Sequence, residues 1–352
     1  MVYPTEVSMT EYNEIQKNTF GTTEIKYSRP KFVHRVLANL IDFIIFALLG
    51  MGIFILTRAI VNKTPGYQNT FNSFNQMRLD SGLYVEGDNK NEINDLITYM
   101  NSHTQYTPGS KVYNCEKNLE KFLTFEKENV SAENYQRIVD EYDDLRLKAT
   151  TEIDGVTYNL WYRNGEEIVK HDDYESTASL KVAMADWYAT YYDKYLQGYL
   201  TTTPAYYDLS KTISNYLFFL EIPVAFFSSL LLTYFVPTLF FRRGRQTLGK
   251  ALYRIGTVDS RYLAPTFWRN LAKFGIFTLE MVAGIASIGV IYLISFSMML
   301  FTKNKQSFPE FMLGLQEVDV SKNKIYMTMV EAELENVQTY KKPTDFKLID
   351  EP

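Results

Sequence analysis

Three polar residues lie at helical spacing where the first long apolar stretch of the chain begins. Arg35, Asn39 and Asp42 occupy positions i, i+4 and i+7, which places them along one face of an α-helix. A carboxylate inside a bilayer costs about 3 kcal/mol on insertion scales, so such residues usually face a bundle interior and find a partner there. Arg35 and Asp42 are about 10.5 Å apart along the helix axis. We therefore expect them to meet through Asn39, water or another helix.

Two further carboxylates, Glu221 and Glu280, interrupt the other apolar stretches. With Asp42 they would form a proton or cation relay, because carboxylates in hydrocarbon are rarely kept without a function. The alternative is that the polar residues of the first stretch only hold the bundle together by hydrogen bonds. The sequence leaves both open, and the predicted intramembrane polar site comprises Arg35, Asn39, Asp42, Glu221 and Glu280.

A third candidate is the segment GRQTLGK at 244–250, which has the spacing of a phosphate-binding loop. Ala251 follows where a Ser or Thr would hold magnesium, and the segment follows an apolar helix instead of a buried strand. Residues 242–273 carry eight Lys/Arg against one Asp, a net charge of +7. A basic loop at anionic lipid headgroups is therefore favoured over nucleotide binding.

Residue types for other chemistry are sparse. Cys115 is the single cysteine, which excludes an intramolecular disulfide and favours a buried thiol over a nucleophile paired with His103 or His171. The segment HDDYE at 171–175 reads as a solvated cap before a helix. We therefore expect no catalytic residues, no enzyme activity, no cofactor and no metal.

The elements that position these residues are long apolar helices. Residues 36–57 contain only Asn39, Asp42 and Thr57 besides apolar residues and Gly, and about 20 such residues span a bilayer. A second run, at 213–241, contains Pro223 and Pro237, which predicts a kinked membrane helix. The overall hydrophobic content of 46% hides this division into apolar and polar segments.

The third apolar run, 274–301, is ambiguous. Residues 268–301 as one helix would extend about 51 Å, which exceeds one bilayer crossing. A hairpin bending near Gly284 to Gly289 is favoured, with GLQEVDV pairing as a strand with RIGTVD. A single tilted span is the alternative.

Charge asymmetry predicts the orientation. Basic residues flank the first span on its N-terminal side and the second on its C-terminal side, whereas residues 64–210 carry 24 Asp/Glu against 13 Lys/Arg. The positive-inside rule then places 64–210 outside the cytoplasm. No cleavable signal peptide is expected, because the first 30 residues are polar and the first apolar run is long enough to stay as an anchor.

The segment between the first two spans is long enough to fold as a domain. Helical periodicity predicts amphipathic helices in NCEKNLEKFLTFEKE and SAENYQRIVDEYDDLRLKA and a long helix in STASLKVAMADWYATYYDKYLQGYL. A β-hairpin is predicted to turn near Asp154-Gly155 or Asn164-Gly165. The apolar positions of the long helix favour core packing over an aromatic groove or a membrane contact.

Taken together, these residues resemble the RDD family of bacterial membrane proteins, which is named for one Arg and two Asp. Arg35 and Asp42 match the Arg and the first Asp. The loop at 244–250 matches the family element G-x-T-x-G-K, and Arg269 lies in the helix that enters the membrane next. Where the family has a His-Asp pair, this chain has Pro309-Glu310. The cytoplasmic loop motif is therefore Gly244, Thr247, Gly249, Lys250, Arg269 and Glu310.

The resemblance covers residues 31–61 and 212–320 and leaves 64–210 as an insertion. It implies a mainly α fold, a polytopic membrane helix bundle of three to four hydrophobic helices, to which the helical periodicity of 64–210 adds a mostly helical extracytoplasmic domain. It also implies a multi-pass protein of the bacterial cell membrane, and the charge asymmetry predicts a cytoplasmic N-terminus. The predicted segments are the cytoplasmic N-terminal segment 1–30, first membrane helix 31–61, extracytoplasmic domain 62–211, second membrane helix 212–241, basic loop and interfacial helix 242–273, hairpin 274–301, and cytoplasmic C-terminal region 302–352.

Two functions remain open. The first is transport, or a transport-associated role, for a cation or small solute through the intramembrane polar site. The second is a non-catalytic accessory or scaffold subunit whose external domain binds an envelope component or a partner protein. Expected partners are a bilayer with anionic headgroups and either a membrane complex or further copies of the chain, with no nucleic acid.

Overall fold

The computed structural model describes residues 18–20, 23–25, 27–89, 92–302 and 305–340. The predicted N-terminal segment 1–30 and the end of the C-terminal region lie largely outside these ranges. The helices are α1 (Phe32–Val61), α2 (Pro65–Asp80), α3 (Leu96–Ser102), α4 (Pro108–Asn129), α5 (Ala132–Leu147), α6 (Ala178–Tyr191), α7 (Gln197–Thr202), α8 (Pro204–Tyr216), α9 (Ile222–Leu230), α10 (Val236–Phe240), α11 (Leu248–Leu252), α12 (Phe267–Ala286), α13 (Val290–Phe301), α14 (Phe308–Leu313) and α15 (Met329–Tyr340).

The strands are short and form antiparallel two-stranded ribbons. They are β1 (Asn18–Phe20), β2 (Thr23–Ile25), β3 (Tyr84–Glu86), β4 (Ile93–Asp95), β5 (Thr150–Ile153), β6 (Val156–Asn159), β7 (Trp161–Asn164), β8 (Glu167–Lys170), β9 (Ile255–Val258) and β10 (Gln316–Asp319). The fold is therefore mainly helical, as the sequence predicts. The chain forms two compact units, one of residues 1–57 with 222–352 and one of residues 58–221.

In the described part of the chain, two helical stretches are long and apolar enough to cross a bilayer, Phe32–Val61 and Pro204–Phe240. Along the first, large apolar side chains such as Leu48 and Met51 are about two-thirds exposed. Exposed apolar surface of this extent suits contact with lipid. The second stretch continues through both of its prolines, and a five-residue π-helical turn precedes each one, at Leu217–Glu221 and Leu231–Phe235. A wider turn accommodates the ring and the missing N–H of a proline.

The third apolar run is two helices, α12 and α13, and not one span. The chain reverses at Ser287, Ile288 and Gly289, where the last two residues have φ values of 51° and 89°. Gly284 allows the helices to meet, since a Cβ there would lie 2.1 Å from the ring of Tyr292. The Tyr292 hydroxyl donates to the carbonyl of Met281 at 2.7 Å and ties the two helices together.

A two-stranded ribbon closes the first unit. Strands β9 and β10 pair antiparallel with Thr257 opposite Glu317, which confirms the predicted pairing of RIGTVD with GLQEVDV. Val258 and Val318 are fully buried in a small core with Tyr27. This pairing returns the chain after α14 to the loop that precedes β9.

The second unit has its own core, centred on α4 and α6. Both amphipathic helices of the sequence prediction are present as α4 and α5, and the long helix is α6 followed by a π-helical turn and α7. The structure has both of the alternative hairpins, β5–β6 and β7–β8. Leu180, Met184, Tyr188 and Tyr191 are buried, which confirms core packing for the long helix. Sequence reasoning missed α2, because its polar sequence has no apolar period.

Candidate functional site

A cavity of about 460 Å³ lies in the first unit and collects most of its buried charges. Pockets of 300–1,000 Å³ are typical of small-ligand sites. Six elements contribute ionisable side chains: helix α1, the π-helical turn before α10, the loop and short helix after α10, helix α12, helix α13, and the segment from α14 to β10. The ionisable residues of its wall are Arg35, Asp42, Tyr234, Arg245, Lys250, Lys273, Glu280, Tyr292, Glu310 and Glu317.

Asp42 holds the short helix α11 against α1. Its carboxylate accepts a hydrogen bond from the Thr247 hydroxyl and another, of 2.8 Å, from the backbone N–H of Gly249. The first N–H groups of a helix have no partner inside the helix, so a carboxylate there is stabilising. Gly249 is required by this close approach, because a Cβ would lie 2.1 Å from the carbonyl oxygen of Ala38. Asp42 is fully buried and its two oxygens are occupied.

Arg35 connects α1 to the C-terminal part of the unit. Its guanidinium forms an ion pair with Glu317 on β10 and lies 3.7 Å from the carboxylate of Glu310. It also donates to the carbonyl of Lys305 at 2.7 Å. Arg35 thus pairs with Glu317, whereas Asp42 bonds Thr247 and Gly249, and the described structure has no hydrogen bond from either side chain to that of Asn39.

Lys250 and Lys273 complete the charged network around Glu310. The Lys273 ammonium lies 3.1 Å and the Lys250 ammonium 3.6 Å from the same Glu310 oxygen, and Lys250 also pairs with Glu317. Burial acts to lower the pKa of Lys250, but Glu317 and Glu310 raise it above its usual range. Burial likewise acts to raise the pKa of Glu310, but Lys273, Lys250 and Arg35 hold it well below its usual range. Both shifts favour the charged forms of Lys250 and Glu310 at neutral pH.

The same Glu310 carboxylate takes part in the N-terminal capping of helix α14. It accepts a hydrogen bond of 3.1 Å from the backbone N–H of Ser307, which forms a capping box with the Ser307 side chain. Its position is thus fixed by local backbone geometry as well as by the basic residues. On the opposite wall, the Asn270 amide donates to the Thr238 hydroxyl at 2.7 Å.

Glu280 differs from the other carboxylates of the cavity. It is 8% exposed, and among the described residues no basic group lies within 4 Å of it. Its neighbour Ser295 interacts with it through the hydroxyl, which also accepts a hydrogen bond from the N–H of Phe308. Aromatic rings of Phe277 and Tyr292 contribute to the same wall. Glu280 is therefore a buried carboxylate without a counter-charge in an aromatic part of the cavity.

The structure brings together most of the residues that the sequence predicted. Arg35, Asn39, Asp42, Glu280, Thr247, Lys250 and Glu310 all line the cavity. Asn39 does so with an exposed side chain and without a hydrogen bond in the described structure. Gly249 packs directly behind Asp42.

The sequence pattern groups Glu221 with these residues, and the structure corrects this prediction. Glu221 belongs to the second unit, where its buried carboxylate pairs with Arg58 at 2.9 Å, and it does not line the cavity. Arg269 also lies away from the cavity wall and faces Asp259, with 3.5 Å between the charged atoms. Gly244 has a structural role, because its backbone carbonyl accepts a hydrogen bond from the N–H of Thr257 at 2.8 Å.

Sequence reasoning missed Glu317 and Lys273 as site residues. Each lies in a segment with an ordinary surface pattern, and each is buried only because of tertiary contacts. One available signal was the predicted pairing of GLQEVDV with RIGTVD, which places Glu317 opposite Thr257. The other was the position of Lys273 immediately before an apolar run.

Other candidates for chemistry do not form a site in the described ranges. Cys115 is buried, and burial raises the pKa of its thiol to about 12. His171 caps a short helical turn by accepting from the N–H of Asp173 at 3.1 Å. Among the described residues there is no group of three or more His, Cys, Asp or Glu arranged to hold a metal ion.

Comparison with protein families matches residues 190–313 to the RDD family. This range contains α7 to α14, and thus much of the cavity wall. No curated protein and no solved structure matches the chain.

Proposed function

We propose that the part of the chain that matches the RDD family of membrane proteins, together with the elements packed around the same cavity, transports a small cation with Glu280 as the residue that binds it. The observation that carries the proposal is the missing counter-charge of Glu280. Charged residues within a membrane are costly and are commonly found where ions or protons move. A carboxylate without a basic partner is able to take a proton or a cation.

The remaining carboxylates support a different role. Glu310 and Glu317 are paired with Arg35, Lys250 and Lys273, and each oxygen of Asp42 accepts a hydrogen bond. Breaking a buried ion pair by removing one partner is strongly destabilising, by about 3–5 kcal/mol. These residues therefore hold α1, α11, α12 and β10 in place around the cavity.

The surroundings of Glu280 suit a cation. The faces of Phe277 and Tyr292 carry negative potential, which attracts a cation near the carboxylate. Ser295 supplies an oxygen beside Glu280 that is able to turn toward a bound ion. Binding would then alternate with protonation of the same carboxyl, so that cation movement depends on pH.

Flux through reconstituted vesicles tests the proposal. The purified full-length protein is placed in proteoliposomes, and sodium, potassium or proton gradients are imposed while internal pH and cation content are followed. The parent should conduct or exchange at least one cation, and Glu280→Gln should abolish this flux. Glu331→Gln is the matched control, because Glu331 lies outside the cavity and pairs with Arg243.

Two outcomes would contradict the transport proposal. The first is the absence of flux for every imposed gradient in vesicles that contain folded protein. The second is equal flux from the parent and from Glu280→Gln.

A second function is favoured by the independent core of residues 58–221. A unit with its own core is suited to binding an envelope component or a partner protein while the RDD domain anchors it. Purification in mild detergent distinguishes the two functions. A stoichiometric co-purifying protein, together with no flux, favours the accessory role.

A further inference from the structure

A second concave surface lies wholly within residues 58–221 and has a different chemistry. It is an open groove of about 1010 Å³ between helix α2 and the hairpin β3–β4. Among the described residues, its wall has one basic residue, Arg58, and is otherwise dominated by side-chain amides, carboxylates and aromatic rings. We call it the amide groove, and the residues used below are Tyr67, Gln68, Phe71, Asn72, Asn75 and Gln76 on α2 with Glu86, Asp88 and Glu92 on the hairpin.

One face of α2 presents amides to the groove. Gln68, Asn72, Asn75 and Gln76 lie at positions i, i+4, i+7 and i+8, which a helix places on the same side. Within the described residues only Gln76 forms a side-chain hydrogen bond, with Asp80 at 2.9 Å. The Asn75 carbonyl oxygen is buried without a partner. Buried polar atoms are nearly always paired, so this face has hydrogen-bonding capacity that the protein does not use.

An aromatic ring lies among these amides. Phe71 is 40% exposed, and its ring stacks on that of Tyr67 with an interplanar angle of 11° and 5.8 Å between centroids. Tyr67 is buried and accepts a hydrogen bond of 3.0 Å from Arg58, which is itself held by Glu221. Phe71 is therefore a supported platform whose outer face is available to a ligand.

The opposite wall supplies acceptors at fixed positions. Glu92 accepts from the amides of Asn89 and Asn94 at 2.7 and 3.1 Å. Asp88 accepts from the Tyr99 hydroxyl at 3.2 Å, and its other oxygen lies 2.9 Å from the His103 Nε2. These bonds orient the carboxylates and leave further lone pairs unoccupied, because an ionised carboxylate has about four acceptor positions. The acidic wall also disfavours an anionic ligand.

From this arrangement we infer that the amide groove binds a neutral oligosaccharide. Amides donate to and accept from adjacent hydroxyl groups, carboxylates accept from them, and an aromatic face packs on the apolar face of a sugar ring. The polar wall disfavours an apolar ligand. The volume exceeds that of a single sugar and suits a short chain of rings. The inference is independent of the transport proposal, since it uses only residues 58–221.

Binding is measured with the full-length protein in nanodiscs, which avoids detergents that carry sugar headgroups. The probes are chitotriose and maltotriose as neutral trisaccharides, trigalacturonic acid as an anionic one, and calcium chloride without sugar. At least one neutral trisaccharide should bind saturably. Phe71→Ala and Asn72→Ala should each weaken that binding by about tenfold or more, a loss of about 1.4 kcal/mol.

Tyr113→Ala is the matched control, because Tyr113 is an aromatic residue that is 64% exposed outside the groove. It should bind the neutral sugar as the parent does. Neither groove variant should unfold the protein, since Phe71 is partly exposed and Ala favours the helix at position 72. Thermal unfolding of each variant checks this, and Gln68→Ala, in which an exposed side chain is shortened, gives a third groove variant for comparison.

Sedimentation with insoluble chitin distinguishes the two sources of such a ligand. If the protein sediments with chitin and chitotriose prevents this, the ligand is a polymer. If the protein binds a trisaccharide but does not sediment with chitin, the ligand is a free sugar. Both results support the inference. Four results would overturn the inference. They are no binding of either neutral trisaccharide, unchanged sugar binding in both Phe71→Ala and Asn72→Ala, tighter binding of trigalacturonic acid than of the neutral trisaccharides, and binding of calcium without binding of any sugar.

Discussion

Replacing Asp42 by leucine should break the contact between α1 and α11 and lower the free energy of unfolding of the first unit. Asp42 accepts hydrogen bonds from the Thr247 hydroxyl and the Gly249 N–H. Hydrogen bonds to a charged group contribute about 1.5–3 kcal/mol each, so the loss of both amounts to about 3–6 kcal/mol. Removal of a buried charge offsets part of this loss. We expect a net destabilisation of about 2–4 kcal/mol.

Asparagine at position 42 should be tolerated better. Its carbonyl oxygen keeps the bond from the Gly249 N–H, and its amide donates to the Thr247 hydroxyl oxygen, so both contacts persist without charge. The expected loss is about 1 kcal/mol. Thermal unfolding in mild detergent should show a midpoint on the order of 10 °C lower for Asp42→Leu and about 3 °C lower for Asp42→Asn, at about 2–4 °C per kcal/mol.

Asn39→Leu is the control for these variants. Asn39 lies one turn earlier on the same face of α1, but it forms no hydrogen bond in the described structure and is exposed. Its replacement should change the midpoint little. Equal midpoints for Asp42→Leu and Asn39→Leu would refute the role of Asp42 as a cap for α11.

Three further predictions concern packing, pH and orientation. Gly249→Ala should destabilise the first unit at least as much as Asp42→Leu, because its methyl group would lie 2.1 Å from the carbonyl oxygen of Ala38, and the same melting assay measures it. Burial raises the pKa of Glu126 in the folded protein. The contribution of Glu126 to stability is therefore present below its unfolded pKa of about 4.3 and is lost as the pH rises through its folded pKa. Glu126→Gln should melt higher than the parent at pH 7 and lose this pH dependence. Cysteines introduced at the exposed positions Thr104 and Ser260 should differ in whole cells, with only the first reacting with an impermeant maleimide.

Each of these predictions has a matched control or a contradicting result. Gly275→Ala adds the same methyl group where no atom lies within 4 Å, so it should leave the midpoint unchanged. Glu128→Gln makes the same change as Glu126→Gln on the exposed side of α4, and an equal effect of both would contradict the burial argument. Reaction of Ser260→Cys in unlysed cells would contradict the proposed orientation.

The elements of this fold were largely predictable because local patterns specify them. Apolar runs indicated the long helices, and helical periodicity indicated α4, α5 and α6. The turn at Gly289 follows from the length of the third run and the freedom of glycine at positive φ. Helix α2 was missed because its amide-rich sequence offers no apolar period.

The cavity was only partly predictable because charge pairing is a tertiary property. The helical spacing of Arg35 and Asp42 identified one wall. Glu317 enters the site through a strand pairing, and its partner Arg35 is 282 residues away in sequence. Glu221 has the same local context as Glu280, a single carboxylate in an apolar helix, and the sequence has no signal that pairs it with Arg58.

The most direct test of Glu280 as the cation-binding residue is its reaction with dicyclohexylcarbodiimide, a hydrophobic reagent for protonated carboxyl groups. The reconstituted protein is treated at several pH values with and without the cation that the vesicle assay identifies, and the modified residues are located by mass spectrometry. We predict modification at Glu280, faster at lower pH and slowed by that cation, with Glu310 unmodified because three basic side chains hold it ionised. Modification of Glu280 at the same rate with and without the cation, or no modification of Glu280 in active protein, would contradict the account.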